Sequence, residues 1–148
     1  MQKVAVVHGP NINLLGVREP EVYGTTNYNE MNKQIKQKAE ELELEVDIFQ
    51  SNHEGEIVDY LQGLIDDSAG VIINPAGLTH TSVVLKDTLI ALRLPVIEVH
   101  ISNIYRREDY RHKSITASAA VGQIAGLGVR GYFLALQAMN ELLREEKY

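Results

Sequence analysis

The strongest constraint on this chain is a repeated switch between two apolar patterns. Short aliphatic runs, Val4-Ala5-Val6-Val7, Gly70-Val71-Ile72-Ile73-Asn74 and Pro95-Val96-Ile97-Glu98-Val99-His100, read as buried strands. Between them the apolar residues recur at helical spacing. Tyr28, Met31, Ile35, Ala39 and Leu42 form one stripe, with Lys33, Lys36, Lys38, Glu40 and Glu41 on the opposite side and Thr25, Thr26 or Asn27 available as a cap. Glu43 to Gln50 reads as a half-exposed edge strand. Ile57, Leu61, Leu64 and Ile65 mark a second helix, and Val83, Val84, Leu85, Leu89, Ile90 and Leu92 mark a third, which begins within Thr79 to Ser82. Ala119 to Ile124 reads as the fifth strand, and Gly126-Leu127-Gly128 leads into a last helix carrying Phe133, Leu134, Leu136, Met139, Leu142 and Leu143. Alternating strands and helices predict an α/β fold with a five-stranded parallel sheet, helices on both faces and the flavodoxin-like strand order. A length of 148 residues fits one catalytic domain spanning 1–148.

Composition removes several classes of function. There are no cysteines, so thiolate nucleophiles and disulfides are excluded, and a reducing, cytoplasmic setting is expected. A net charge of -6 argues against a nucleic-acid partner. No apolar run is long enough to span a bilayer, and Met1-Gln2-Lys3 runs directly into the first strand without room for a signal peptide. No Gly-x-Gly-x-x-Gly follows the first strand, and there is no phosphate loop, Gly-x-Ser-x-Gly elbow or His-Glu-x-x-His helix. Neither a cofactor nor a metal is expected.

In open parallel sheets, ligands sit beyond the carboxyl ends of the strands. There the first strand ends in His8, with Asn11 just beyond it. The third ends in Asn74, followed by His80, and the fourth carries Glu98 and His100, then Ser102. Glu98 and His100 are two apart on a strand and so share a face. A carboxylate there orients the imidazole and favours its charged form, which suits a general acid, although such a pair also serves as a purely structural contact. The loop from Gly9 to Gly24 is long, bounded by Gly and Pro, and carries Arg18 and Tyr23. A free phenol, with a pKa of roughly 10, is too weakly acidic to serve as a base near neutrality unless a guanidinium favours its phenolate. The plainer alternative is a surface Arg and a Tyr packed on the core. Asn11 and Asn74 suit a hydroxylated ligand or a bound water, but equally suit loop amides. Thr79-His80-Thr81-Ser82 reads as a helix cap or a ligand contact. Tyr105 to Lys113 is locally basic, either a solvated run of ion pairs or a grip on an anion; Arg is suited to a carboxylate. The amides of Ile101 and Ser102 are further candidates for an anion.

Taken together these stretches resemble type II 3-dehydroquinate dehydratase. The resemblance is carried by Gly9-Pro10-Asn11-Ile12-Asn13-Leu14-Leu15-Gly16, Arg18-Glu19-Pro20, Tyr23-Gly24, Asn74-Pro75, Thr79-His80-Thr81-Ser82, Glu98-Val99-His100-Ile101-Ser102-Asn103 and Arg111-His112-Lys113-Ser114, in that order along nearly the whole chain. It implies reversible dehydration of 3-dehydroquinate to 3-dehydroshikimate in the shikimate pathway of aromatic amino acid biosynthesis. It makes Tyr23 the base, Arg18 its activator, His100 the acid with Glu98 behind it, and Asn11 the holder of a water at the enolate oxygen. Asn74, His80, Arg111, Ile101 and Ser102 become substrate contacts, with Arg107 near them. Asp87 is implied to reach a neighbouring subunit's site, in a homododecamer built from trimers. Pro75-Ala76-Gly77-Leu78 departs from the family's usual order of small residues, and Tyr105 stands where a His is frequent. A different class remains to be weighed, a binding module that grips a small hydroxy acid without chemistry; it would not require both an activated base and a paired acid.

Overall fold

In the computed structural model, the described residues are 1–17, 19–23 and 25–145, with the side chains of Pro20 and Tyr23 also outside the description. Five strands, β1 (Lys3–His8), β2 (Glu45–Gln50), β3 (Gly70–Asn74), β4 (Val96–His100) and β5 (Gly122–Ala125), form one parallel sheet in the order β2-β1-β3-β4-β5. This is the flavodoxin-like order, in which the direction of strand addition across the sheet reverses between β1 and β3. The helices are α1 (Pro20–Tyr23), α2 (Tyr28–Glu41), α3 (Glu54–Gln62), α4 (Val83–Leu92) and α5 (Arg130–Arg144). Among the described residues no helix is long and apolar enough to cross a membrane.

The period of two along each strand divides the core. Val4 and Val6 of β1, Ile72 of β3, and Ile97 and Val99 of β4 pack against Met31, Ile35 and Ala39 of α2 and Tyr132, Leu136 and Met139 of α5. Ala5, Val7, Val71, Ile73 and Val96 face the other way, against Ile57 and Leu61 of α3 and Leu85, Leu89 and Leu92 of α4. Burying each such aliphatic side chain contributes roughly 1.5–3 kcal/mol. α2 starts where expected, on the side-chain cap of Asn27, which accepts from the Glu30 amide. Ser82 caps α4 through the Leu85 amide and donates to Glu54 on α3 at 2.6 Å, tying these two helices together.

Several expectations from helical spacing are corrected. The third helix does not begin within Thr79–Ser82: a 3₁₀ turn, Ala76–His80, comes first, and α4 starts at Val83. On α4 only Leu85, Leu89 and Leu92 of the expected apolar side are buried, while Val83, Val84 and Ile90 are more than half exposed. Leu64 is buried beyond the end of α3, and Ile65 is exposed. Leu134 of α5 is exposed, whereas Tyr132, absent from the expected stripe, is fully buried. The fifth strand starts at Gly122, after a 3₁₀ turn at Ala117–Ala119.

The chain leaves β1 through a tight seam. The Gly9 amide donates to the Asn74 carbonyl at 2.8 Å. A Cβ on Gly9 would lie 2.5 Å from the Pro75 carbonyl oxygen, closer than any side chain tolerates. The loop after β1 and the loop after β3 therefore meet backbone to backbone at the switch point of the sheet.

Candidate active site

At that switch point lies a cavity of about 190 Å³. Asn11, Asn74, His80, His100, Ile101, Ser102 and Arg111, all expected from the sequence, line it together with Arg107. Sequence reasoning missed Pro10, Ile12, Ala76, Gly77 and Ile104, which form the rest of the wall. Their apolar or small side chains carry no chemical signal. Two expected residues do not line this cavity. Glu98 lies behind His100, and Asp87 is on the exposed side of α4. Arg18 and the Tyr23 side chain fall outside the described residues. The backbone of α1 does reach this rim, since Glu21 and Val22 border a second hollow with Ile101, Ser102 and Arg107.

The His100 and Glu98 side chains meet as strand periodicity predicts. His100 Nε2 lies 2.9 Å from Glu98 Oε2, and both side chains are almost wholly buried. A carboxylate inside a protein is costly without donors. Here Ser114 Oγ donates to Oε2 at 2.9 Å, Gln123 Nε2 donates to Oε2 at 3.1 Å, and the Thr116 hydroxyl donates to Oε1. Burial alone would raise the Glu98 pKa. The hydrogen bonds from His100, Thr116 and Ser114 outweigh it and hold the carboxyl below its ordinary value. Glu98 is thus an anion at neutral pH, and it takes the Nε2 side of the imidazole. Nδ1 is the nitrogen that this pairing leaves for another partner. Ser114 and Thr116 were not assigned from sequence, although two hydroxyls flanking Ile115 directly after a basic run are the signal that could have found them.

A second polar network lies on the opposite face of the sheet. Asn74 Oδ1 accepts from the Ala76 amide at 3.0 Å, and its Nδ2 donates to the Tyr132 hydroxyl at 3.1 Å. Tyr132 in turn lies 3.1 Å from His8 Nδ1, and His8 Nε2 lies 2.9 Å from Asn32 Oδ1. His8 therefore ends its strand in the core, not on the open rim.

Most of the remaining polar wall residues are fixed by groups around the cavity. His80 Nδ1 donates to the Lys113 carbonyl at 2.8 Å, which leaves Nε2 for another partner. Asn11 adopts a left-handed backbone, φ 72°, and its side chain makes no capping hydrogen bond. Arg107 Nη1 donates to Ser102 Oγ at 3.3 Å, and its guanidinium lies 3.7 Å from Glu19. Arg111 Nε donates to Glu108 at 3.1 Å. Two guanidiniums, two amides, two imidazoles and a serine thus surround a space the size of a small ring compound. They suit a carboxylate beside several hydroxyls.

Fold and site define a flavodoxin-like α/β protein with a polar cavity at the switch point of its sheet and a carboxylate-backed imidazole in the cavity wall. The family model described as dehydroquinase class II matches residues 2–140. A relative from Halothermothrix orenii, named 3-dehydroquinate dehydratase, is 58% identical over the full length of both chains. One of the same name from Endomicrobium trichonymphae is 55% identical over 97% of this chain and all of its own. The crystal structure of a type II dehydroquinase from Butyrivibrio crossotus superposes with a TM-score of 0.92 at 40% identity, covering 94% of this chain and 97% of the other. This chain belongs to the class II dehydroquinase family.

Proposed function

We propose that this chain dehydrates 3-dehydroquinate reversibly to 3-dehydroshikimate through an enolate, as a hydro-lyase of the shikimate pathway, from a single domain spanning 1–148. The relatives carry that activity in their names, and the cavity lining includes His100, Asn11, Asn74, His80 and Arg111, whose chemistry suits the acid and the substrate contacts. Tyr23, as phenolate beside Arg18, removes the proton next to the ketone. The electron pair moves onto the carbonyl oxygen, where a water held by Asn11 stabilises it. The enolate then collapses to form the new double bond as the hydroxyl departs, protonated by His100 Nδ1. Glu98 on Nε2 fixes the orientation of the ring. Asn74, His80, Arg111 and the amides of Ile101 and Ser102 hold the substrate hydroxyls and carboxylate. The sequence of steps consumes no cofactor and needs no metal.

The observation that carries this reading is the caged Glu98 anion behind a cavity-lining His100. A module that merely bound a hydroxy acid would gain nothing from an ionised carboxylate wired to an imidazole. For Asp87 we propose a role in the site of a neighbouring subunit, within a homododecamer of trimers in the cytoplasm. Its setting supports this, since Val83, Val84 and Ile90 leave an exposed apolar patch on the helix that carries it. Purified protein mixed with 3-dehydroquinate should develop the ultraviolet absorbance of a conjugated enone. Folded protein that develops none overturns the proposal. Tyr23→Phe should keep the fold and substrate binding but lose about 10²–10⁴ in kcat, and retained turnover rejects Tyr23 as base.

A further inference from the structure

The network behind Asn74 has a direction, and that direction reaches the cavity. The Ala76 amide can only donate, so it fixes Oδ1 of Asn74 on its own side and leaves Nδ2 facing the Tyr132 hydroxyl. Nδ2 donates one of its two hydrogens to that hydroxyl. The hydroxyl hydrogen is then free to go to His8 Nδ1, provided that this nitrogen carries no proton. His8 meets the condition because its other nitrogen, Nε2, faces a carboxamide oxygen, Asn32 Oδ1, and so must be the one that donates. Each contact from Asn32 to Asn74 then pairs one donor with one acceptor, with no clash of hydrogens. His8 and Tyr132 are completely buried, and His8 also meets Tyr132 and Tyr28 edge to face, with ring centroids 5.3 Å and 5.5 Å apart. Burial pushes the His8 imidazole down to about 4, which keeps the ring neutral and the sense of the chain unchanged near neutrality. The second hydrogen of Nδ2 and the second lone pair of Oδ1 are what Asn74 has left for a ligand.

We infer that His8 and Tyr132 are positioning residues for the substrate, acting through Asn74. They lock its carboxamide so that one N–H donor and one oxygen acceptor meet the substrate hydroxyls in a set order. An unlocked carboxamide presents the reverse order in part of the population and binds the same hydroxyls less well. This inference rests on the proposed dehydration for its kinetic test, and a second readout does not.

Three variants and one spectrum test it. Tyr132→Phe should raise KM for 3-dehydroquinate about five- to tenfold, with kcat within about twofold. His8→Gln offers an oxygen to Tyr132 and an N–H₂ to Asn32, so KM should stay within about twofold of the parent, while His8→Leu should match Tyr132→Phe. A role in packing alone would lower the melting temperature of these variants and leave KM unmoved. A folded Tyr132→Phe with unchanged KM overturns the inference. If Tyr132→Phe does not fold, equal KM values for His8→Gln and His8→Leu overturn it, and unequal ones in the stated order support it. In the parent chain, the Asn74 side-chain amide should exchange with deuterium far more slowly than that of Asn11. Equal exchange overturns the lock even if the protein proves inactive on 3-dehydroquinate.

Discussion

The two faces of the sheet carry opposite kinds of polar network at their carboxyl ends. Toward α3 and α4, the Glu98 anion collects His100, Ser114, Thr116 and Gln123. Toward α2 and α5, His8, Tyr132, Asn74 and Asn32 are joined without a charge. Burial works against ionisation in both. It loses to converging donors at Glu98, whereas it prevails at His8, where the Asn32 bond opposes it too weakly. On Tyr132, too, burial pushes the phenol above its ordinary value and keeps it protonated, although the Asn74 bond works the other way. The lesson is that burial alone does not decide charge. The partners facing the group weigh against it, donors for a carboxylate and acceptors for an imidazole, so that one network holds a charge and the other holds a direction.

The sharpest way to break this contrast is Glu98→Ala. It should cost about 3–5 kcal/mol of stability, because the cage donors lose their acceptor, and at least about 10² in kcat. Urea melts and steady-state rates measure both. A parent-like kcat in folded protein would show that the charge is not used.

The neutral network should reveal itself on acidification. The folded His8 value lies near 4, below its ordinary 6.5. Between those values the unfolded chain takes up a proton that the native chain refuses, so stability falls as the pH drops from about 6.5 to about 4, by about 3 kcal/mol in all. His8→Gln should remove this slope. The Glu98 contribution has the opposite origin, a depressed carboxyl, and so is present above its unfolded value of about 4.3 and lost as the pH falls through the lower folded one. Melts at half-unit intervals from pH 7 to about 3 separate the two windows.

Thr116→Val removes one donor from the cage and keeps the shape. A loss of about 1.5–3 kcal/mol is expected, with a smaller fall in kcat than Glu98→Ala causes. The smallest effect belongs to a surface control. Glu108 is also held low, to about 2, chiefly by the Tyr110 hydroxyl, then by its own backbone and Arg111. It is exposed to water, so Glu108→Gln should move the melting temperature by about a degree or less. Any loss should appear instead in KM, through a loosened Arg111.

Much of this arrangement is legible in the sequence. The alternation of buried strands and helices gave the sheet, and the spacing of Glu98 and His100 gave the pair, because a period of two allows no other placement. His8 was misplaced on the open rim because strand ends look alike in sequence whether they meet solvent or a tyrosine from α5. Tyr132 went unnoticed for the same reason, since its partners are 58 and 124 residues away. Val83, Val84 and Ile90 show another limit. Helical spacing records that a residue is apolar, not whether its own core or a second surface will cover it.

The missing side chain at Gly9 reaches beyond this reaction. Any attempt to adapt the cavity to a different cyclic acid inherits a hinge-free junction there, because even a methyl group would wedge the loop that carries Asn11 away from the chain leaving β3 at Asn74 and Pro75. Redesign has to begin at Gly77, where an added methyl meets open space, and leave the junction untouched.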